Sequence, residues 1–140
     1  MLLKRGDKKK KIRAAAQAVR ARGGFEAVYT YTPEVLTSCL VFVVDDAEQA
    51  FGLFEDGSIS YPDLEFEAYV LAGLPDEPGE EDFEKAEQEI DELMIDLADQ
   101  LKAARLHLVG PIAYSRRKVP SDANRDPSFT SYKTAEFKIR

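Results

Sequence analysis

The first hydrophobic pattern along the chain has the period of a helix. Four apolar residues recur with gaps of three, one and three positions, at Ile12, Ala15, Ala16 and Val19. Residues at this spacing share one helix face, so the pattern predicts a helix over residues 8–22. Asp7 is placed to cap its first turn, and Gly23-Gly24 supplies a left-handed stop at its end.

The pattern then changes to the two-residue period of strands. Residues 25–32 alternate aromatic and small side chains, which predicts a half-buried strand that Pro33 ends. Residues 37–45 are apolar on both faces and predict a strand at the centre of a sheet. Residues 45–61 give a weak signal, for a loop or a short irregular hairpin. Residues 64–74 alternate again and predict a third strand.

The second half of the chain begins with a long helical pattern. Its apolar residues are separated by one, three or four positions: Phe83, Ala86, Ile90, Leu93, Met94, Leu97, Leu101 and Ala104. This spacing predicts an amphipathic helix from Glu80 to Arg105 that packs one stripe on a sheet. Residues 106–119 and 128–140 then predict a C-terminal hairpin whose last strand is part of the core. The order of elements indicates a single α+β domain over residues 1–140.

Charge is distributed unevenly along this chain, whose formal net charge is −7. Residues 1–22 hold nine bases and one acid, whereas residues 45–101 hold twenty acids and one base. Residues 102–140 are basic again, with nine bases and three acids. Such segregation produces strong local fields of both signs and suits a protein that contacts a charged partner, while solvated charged faces are the alternative.

Residue types that carry chemistry are scarce, which favours a protein without enzymatic activity. The single cysteine, Cys39, excludes an internal disulfide and a multi-cysteine zinc site, and it is predicted to be a buried structural thiol. The single histidine, His107, has no nucleophile near it in sequence. A strand end explains the acidic pair Asp45-Asp46 better than catalysis does, and a helix dipole explains Glu80-Glu81-Asp82. We expect no cofactor and no bound metal.

Hydropathy gives two further expectations. The longest apolar run, Leu40 to Val44, is too short to span a bilayer. Lys4 follows the first three residues where a secretory signal would need an apolar segment, so we expect a chain made in a reducing cytoplasm.

Element order, element lengths and several local strings together resemble a known family. An alanine-rich helix, "IRAAAQAVRAR", precedes a proline-containing extended segment and the strand "CLVFVV". The strand "FEAYVLAGLPDEPGEED" runs through an acidic turn into the amphipathic helix, and the chain ends as "IAYSRRK…SYKTAEFKIR". From about residue 12 to residue 140 the chain resembles the tail terminator proteins of long-tailed, non-contractile, lambda-like bacteriophages. The basic extension of residues 1–11 and the loop around residues 56–61 depart from the family pattern.

The resemblance implies a fold, an assembly and a place in the virion. The fold would be a mostly antiparallel sheet flanked by the N-terminal helix and the long amphipathic helix. The protein would form a homohexameric ring in the viral tail, at the head–tail junction, after assembly in the host cytoplasm. Its expected partners are the tail tube protein, whose polymerisation the ring halts, and the head–tail connector. DNA would pass through the ring without specific binding, and no membrane is an expected partner.

Three sets of charged residues are the expected contact sites. The resemblance places a basic set at the end of the penultimate strand, where it would reach a tube or connector partner: Arg116, Arg117 and Lys118. An acidic rim around the start of the long helix is expected to meet basic residues of a neighbour: Asp76, Glu77, Glu80 and Glu81. A basic N-terminal set is expected to dock on an acidic surface of another subunit: Lys4, Arg5, Lys8, Lys9, Lys10 and Lys11.

Two other functions compete with this interpretation. A head completion or neck protein would form a different ring of the same junction. A nucleic-acid-binding protein would use the basic N-terminal arm, although the rest of the chain lacks a basic pattern with interleaved aromatic residues and the sequence pI is near 4.8.

Overall fold

In the part of the chain that the structure describes, two helices and seven strands form one α+β fold. The computed structural model describes residues 5–31, 33, 36, 38–45, 52–53, 59–60, 65–118 and 131–140. The helices are α1 (Arg5–Ala21) and α2 (Glu80–Ala103). The strands are β1 (Ala27–Tyr29), β2 (Leu40–Val44), β3 (Gly52–Leu53), β4 (Ile59–Ser60), β5 (Phe66–Leu74), β6 (Leu108–Lys118) and β7 (Ser131–Ile139).

Five strands build the main sheet in the order β1-β2-β5-β7-β6. β1 runs parallel to β2, and every other neighbouring pair is antiparallel, which confirms the expected mostly antiparallel sheet. β2 lies between β1 and β5 and is buried on both faces, as its continuous apolar sequence predicted. β1 pairs over only three residues, so the predicted strand of residues 25–32 is too long.

α1 begins earlier than the sequence pattern indicated. Because the helix starts at Arg5, Asp7 lies inside its first turn and is not its N-cap. A carboxylate there is still favourable, since it faces the positive end of the helix dipole. Gly23 has a φ of 84° just beyond the helix end, which confirms the left-handed stop.

Both helices pack on the same face of the main sheet, which we call the helix face. α2 buries Ile90, Leu93 and Leu97 against β5 and β7, and α1 buries Ile12, Ala16 and Val19 against α2 and the β1–β2 edge. Alternate residues of β7, among them Phe137 and Ile139, complete this core. The burial of Ile139 confirms that the last strand belongs to the core.

The opposite face of the sheet carries a smaller cluster. Val41, Val43, Leu71 and Tyr132 are buried there, with Tyr69 half-buried beside them. The Tyr132 hydroxyl donates a hydrogen bond of 2.8 Å to the Ser38 carbonyl. This bond satisfies the polar end of a side chain whose ring is buried.

Two irregular places shape the edges of the fold. β6 is an edge strand with a bulge between Val109 and Ala113, and Gly110 has a φ of 78° in it. A side chain at Gly110 would be strained by this backbone conformation and not by crowding, because its Cβ would have no heavy atom within 4 Å beyond its chain neighbours. Of the two alternatives for residues 45–61, a loop or a short hairpin, the pairing of β3 with β4 supports the hairpin, and the residues between these two strands lie outside the described ones.

Candidate protein interface

The basic set at the end of β6 lies beside the start of α2. The Arg116 guanidinium carbon is 5.3 Å from the centre of the Phe83 ring, a cation–π contact that joins β6 to α2. Arg116 is nevertheless exposed, so its donors still reach solvent. Arg117 and Lys118 continue the strand, opposite Tyr132 and Ser131 of β7, and their side chains lie outside the description.

The acidic rim surrounds the same end of α2. Asp76 and Glu77 lie exposed in the turn after β5, and Glu80 and Glu81 lie exposed in the first helical turn. Asp82, and neither of these glutamates, caps the helix start, because its carboxylate accepts a hydrogen bond of 2.9 Å from the Gly79 N–H. Glu80 and Glu81 therefore interact favourably with the helix dipole while they face solvent.

The fold brings these two sets together at one end of the molecule. Leu74 of β5 and Lys118 of β6 both pair with Ser131 of β7, so the ends of β5 and β6 lie on either side of the start of β7. The acidic rim follows β5, and Arg116 lies at the end of β6. Sequence reasoning proposed the two sets separately and did not predict that they share this end.

The basic N-terminal set lies towards the other end of the helix layer. β1 and β5 run in opposite directions, because β1 is parallel to β2 and β2 is antiparallel to β5. α1 leads into β1 by a short turn and α2 follows β5 by another, so the two helices run antiparallel. Within α1, Lys10 and Lys11 are exposed, and Lys8 and Lys9 are half-buried. Lys4 and the side chain of Arg5 lie outside the described part of the chain.

Sequence reasoning missed three exposed apolar side chains on α2 and β6. Ile95 is 64% exposed, Tyr114 49% and Ile112 38%. The Asp91 carboxylate of α2 lies near the Tyr114 hydroxyl of β6, and burial together with the negative charge of Asp91 raises the pKa of Tyr114. The signal in the sequence was Ile95 itself, an apolar residue outside the buried stripe of α2.

The same edge contains an ion pair that holds α2 on the sheet. The Lys133 ammonium of β7 lies 3.2 Å from the Glu87 carboxylate of α2. With the Arg116–Phe83 contact, it links α2 to β6 and β7 through side chains.

Groups suited to nucleophilic chemistry are not assembled in the described part of the chain. Cys39 is half-buried, not fully buried as predicted, and its thiol donates to the Gly73 carbonyl at 3.8 Å. Burial raises the pKa of this thiol, which keeps it protonated near neutral pH. His107 is exposed, and its backbone pairs with Arg140. Among the described residues, no three metal-ligating side chains cluster together.

A cavity of about 460 Å³ opens beside the β6 bulge, on the face away from the helices. Glu65, Glu67, Glu136 and Lys138 provide its charged groups, with Phe137 among its apolar ones. The Lys138 ammonium lies 4.0 Å from the Glu65 carboxylate, and the Tyr69 hydroxyl donates to Glu67 at 3.4 Å. The charged groups of the cavity thus form an ion pair and a hydrogen bond with side chains of the same chain. None of its described lining residues is a serine, threonine or cysteine that could act as a nucleophile.

Comparison with known proteins adds no relative: neither the protein-family models nor the curated proteins include a match to this chain. The resemblance to tail terminators therefore stays a prediction. No helix among the described residues is both long and apolar enough to cross a membrane.

Proposed function

We propose that this protein is a tail terminator: a structural virion protein whose copies form a ring on the end of the tail tube. The ring stops tube polymerisation and offers its other face to the head–tail connector. The observation that carries the proposal is that the two ends of the helix layer carry different sets of charged residues. The acidic rim and Arg116 lie at one end of the helix layer, and the N-terminal lysines of α1 lie towards the other.

This charge arrangement matches what a terminating ring needs. A ring of identical subunits closes through contacts between two different surfaces of each copy. Its two faces must also differ, because one binds the last tube layer and the other binds the connector. A subunit with unlike ends presents unlike potentials on the two faces of such a ring, which favours one orientation on the tube.

Electron microscopy of the purified full-length protein mixed with tail tubes tests the proposal directly. We expect a ring on one end of each tube, and tubes that no longer elongate when more tube protein is added. Tubes that elongate at the same rate with and without the protein would contradict a terminator function.

Tail length separates this function from that of a neck protein of the same junction. A virus that lacks the terminator should make overlong tubes, whereas one that lacks a neck protein should make unattached tails of normal length. Normal-length tails in the absence of the protein would therefore favour the neck protein.

Charge reversal at Arg116 and Arg117 tests the predicted basic contact. We expect these reversals to leave the fold intact and to abolish tail joining. The loss of the Arg116–Phe83 contact costs only about 0.5–1 kcal/mol at an exposed site. The control is Lys138→Glu, an exposed position near the other end of β7 from the residues that pair with Arg116 and Arg117. A normal yield of virions from the Arg116 and Arg117 variant would contradict this role.

A further inference from the structure

We propose that the basic outer side of α1 in one copy docks on the acidic and apolar outer side of α2 in the next copy. The inference rests on the proposed function for its partner, a second copy of this chain. Beyond that function, the inference identifies the two surfaces through which neighbouring copies would contact each other. We call them the basic stripe (Arg13, Gln17 and Arg20) and the acidic stripe (Asp91, Ile95 and Asp99).

The two helices have opposite charges in the same layer of the fold. α1 contains seven bases and one acid, and α2 contains ten acids and two bases. Opposite potentials on two surfaces of one molecule favour association between copies through unlike surfaces. This is the type of contact that closes a ring.

The basic stripe faces away from the α2 of its own chain. Arg22 lies just beyond α1 and lines a cavity whose opposite wall includes Glu89 and Asp96 of α2. Each helical residue turns by about 100°, so Arg13 and Arg20 lie about half a turn from Arg22. Both are exposed, and neither forms an ion pair with any residue in the described ranges.

The acidic stripe faces the opposite edge of the fold. Asp91 contacts Tyr114 of β6, the strand at the far edge from β1, and Ile95 lies one helical turn further along. Asp99 follows by one more turn and is exposed. The exposed Ile95 thus lies between two carboxylates on one side of α2.

The spacing of charges on the two stripes is similar. Arg13 and Arg20 are separated by seven residues, about 10.5 Å along α1. Asp91 and Asp99 are separated by eight residues, about 12 Å along α2. Arginine side chains are long enough to absorb this difference, and their apolar stems, with the stem of Gln17, can cover Ile95. Burial of Ile95 would remove the most exposed aliphatic side chain among the described residues from water.

The test uses two full-length variants, each with one reversed stripe. The basic-reversed variant is Arg13→Glu with Arg20→Glu, and the acidic-reversed variant is Asp91→Lys with Asp99→Lys. Sedimentation velocity at about 0.05 M NaCl should show association of the wild type that weakens at about 0.5 M, because salt screens exposed charges. Each variant alone should associate at least about tenfold more weakly. An equimolar mixture should associate again, because each variant keeps the stripe that the other lacks.

Controls separate a lost contact from a damaged fold. Asp99→Lys alone leaves Asp91 beside Tyr114 unchanged and should still weaken association. Ile95→Ala should weaken it without a change in the unfolding midpoint. Lys138→Glu makes the same charge change as Arg13→Glu on the opposite face of the sheet and should have no effect on association. It also removes the exposed Lys138–Glu65 ion pair, which contributes no more than about 1 kcal/mol, so its unfolding midpoint is measured alongside. Association of both reversed variants at wild-type strength, or no restoration on mixing, would overturn the proposal.

Two further outcomes distinguish this inference from the proposed function. If the reversed variants still cap tail tubes as rings, the stripes are not the ring contact, and the terminator function stands. If the wild type is monomeric at low salt, the stripe contact is overturned, and only the tube assay decides the function. Salt-sensitive binding of the basic stripe to duplex DNA, with no self-association, would assign the stripe to nucleic acid instead.

Discussion

The two faces of the main sheet are buried by different kinds of residue. On the helix face, side chains such as Leu97, Leu101 and Phe137 are enclosed by α1, α2 and the sheet. On the opposite face the buried cluster is smaller and includes Tyr132, with a half-buried thiol nearby at Cys39. The helix face buries almost only carbon, whereas the opposite face also buries groups that titrate.

This difference indicates that stability comes mainly from the helix face. Hydrophobic burial stabilises in proportion to the apolar area removed from water, and it does not depend on pH. The opposite face should contribute less, and its contribution should fall at alkaline pH. The predictions below are ordered by their expected effect on the free energy of unfolding.

The largest loss is expected from a cavity on the helix face. Leu97→Ala removes a fully buried side chain of α2 and should cost about 2–5 kcal/mol in urea unfolding. The matched control is Ile95→Ala in the same helix, where 64% of the residue is exposed. It should change stability by no more than about 0.5 kcal/mol. If Leu97→Ala lowered the free energy of unfolding by no more than the control does, the helix face would not be the main source of stability.

The next effect is expected where α1 ends against α2. A Cβ at Gly24 would lie 2.6 Å from Val19 Cγ1, 2.9 Å from the Val19 carbonyl oxygen and 3.0 Å from Leu93 Cδ2. Something must move, so Gly24→Ala should cost about 1–3 kcal/mol by denaturant unfolding. This position would show that the helix face is close-packed between its two helices as well as against the sheet.

A double variant identifies the cause of the Gly24 effect. Val19→Ala removes the nearest atom, so the pair with Gly24→Ala should lose less stability than the sum of the two single changes. Simple additivity would mean that the cost arises from the Val19 carbonyl or from Leu93.

The sequence predicted best those elements whose apolar pattern repeats over many residues. The stripe of α2 extends over six turns, and the observed helix ends within two residues of its predicted end. The predicted length of β1 was too great. The length of a strand depends on the strand it pairs with, and β1 pairs with β2 over only three residues. Cys39 precedes β2 and is only half-buried, which a string of apolar neighbours does not show.

The candidate interface was predictable in part. The strand end that carries Arg116 and the helix start that carries Glu80 follow from local patterns. Their meeting at one end of the molecule depends on how β5, β6 and β7 pair, which is a long-range property. The outward side of Arg13 likewise follows only from the position of α1 beside α2. Sequence reasoning identified the separation of charge, and the topology determines which surfaces carry it.

The smallest effect is expected on the opposite face, at Tyr132. Tyr132→Phe removes the 2.8 Å hydrogen bond to the Ser38 carbonyl and should cost about 1 kcal/mol at pH 8 in urea unfolding. Burial raises the pKa of Tyr132 above that of an exposed tyrosine, so the folded state favours the neutral phenol. Unfolding releases this constraint, and the wild type should lose stability as the pH rises above about 10.

The pH profile of this variant tests the comparison between the faces most sharply. Burial also raises the pKa of Cys39, so its thiol destabilises the fold at alkaline pH in both proteins. The stability advantage of the wild type over Tyr132→Phe should therefore narrow as the pH rises from about 8 to about 11. Leu97→Ala should instead lose the same free energy relative to the wild type at both pH values, because no titrating group is removed. A constant stability difference between the wild type and Tyr132→Phe over this pH range would contradict the prediction. It would mean that the stability contributed by the opposite face, like that of the helix face, does not depend on pH.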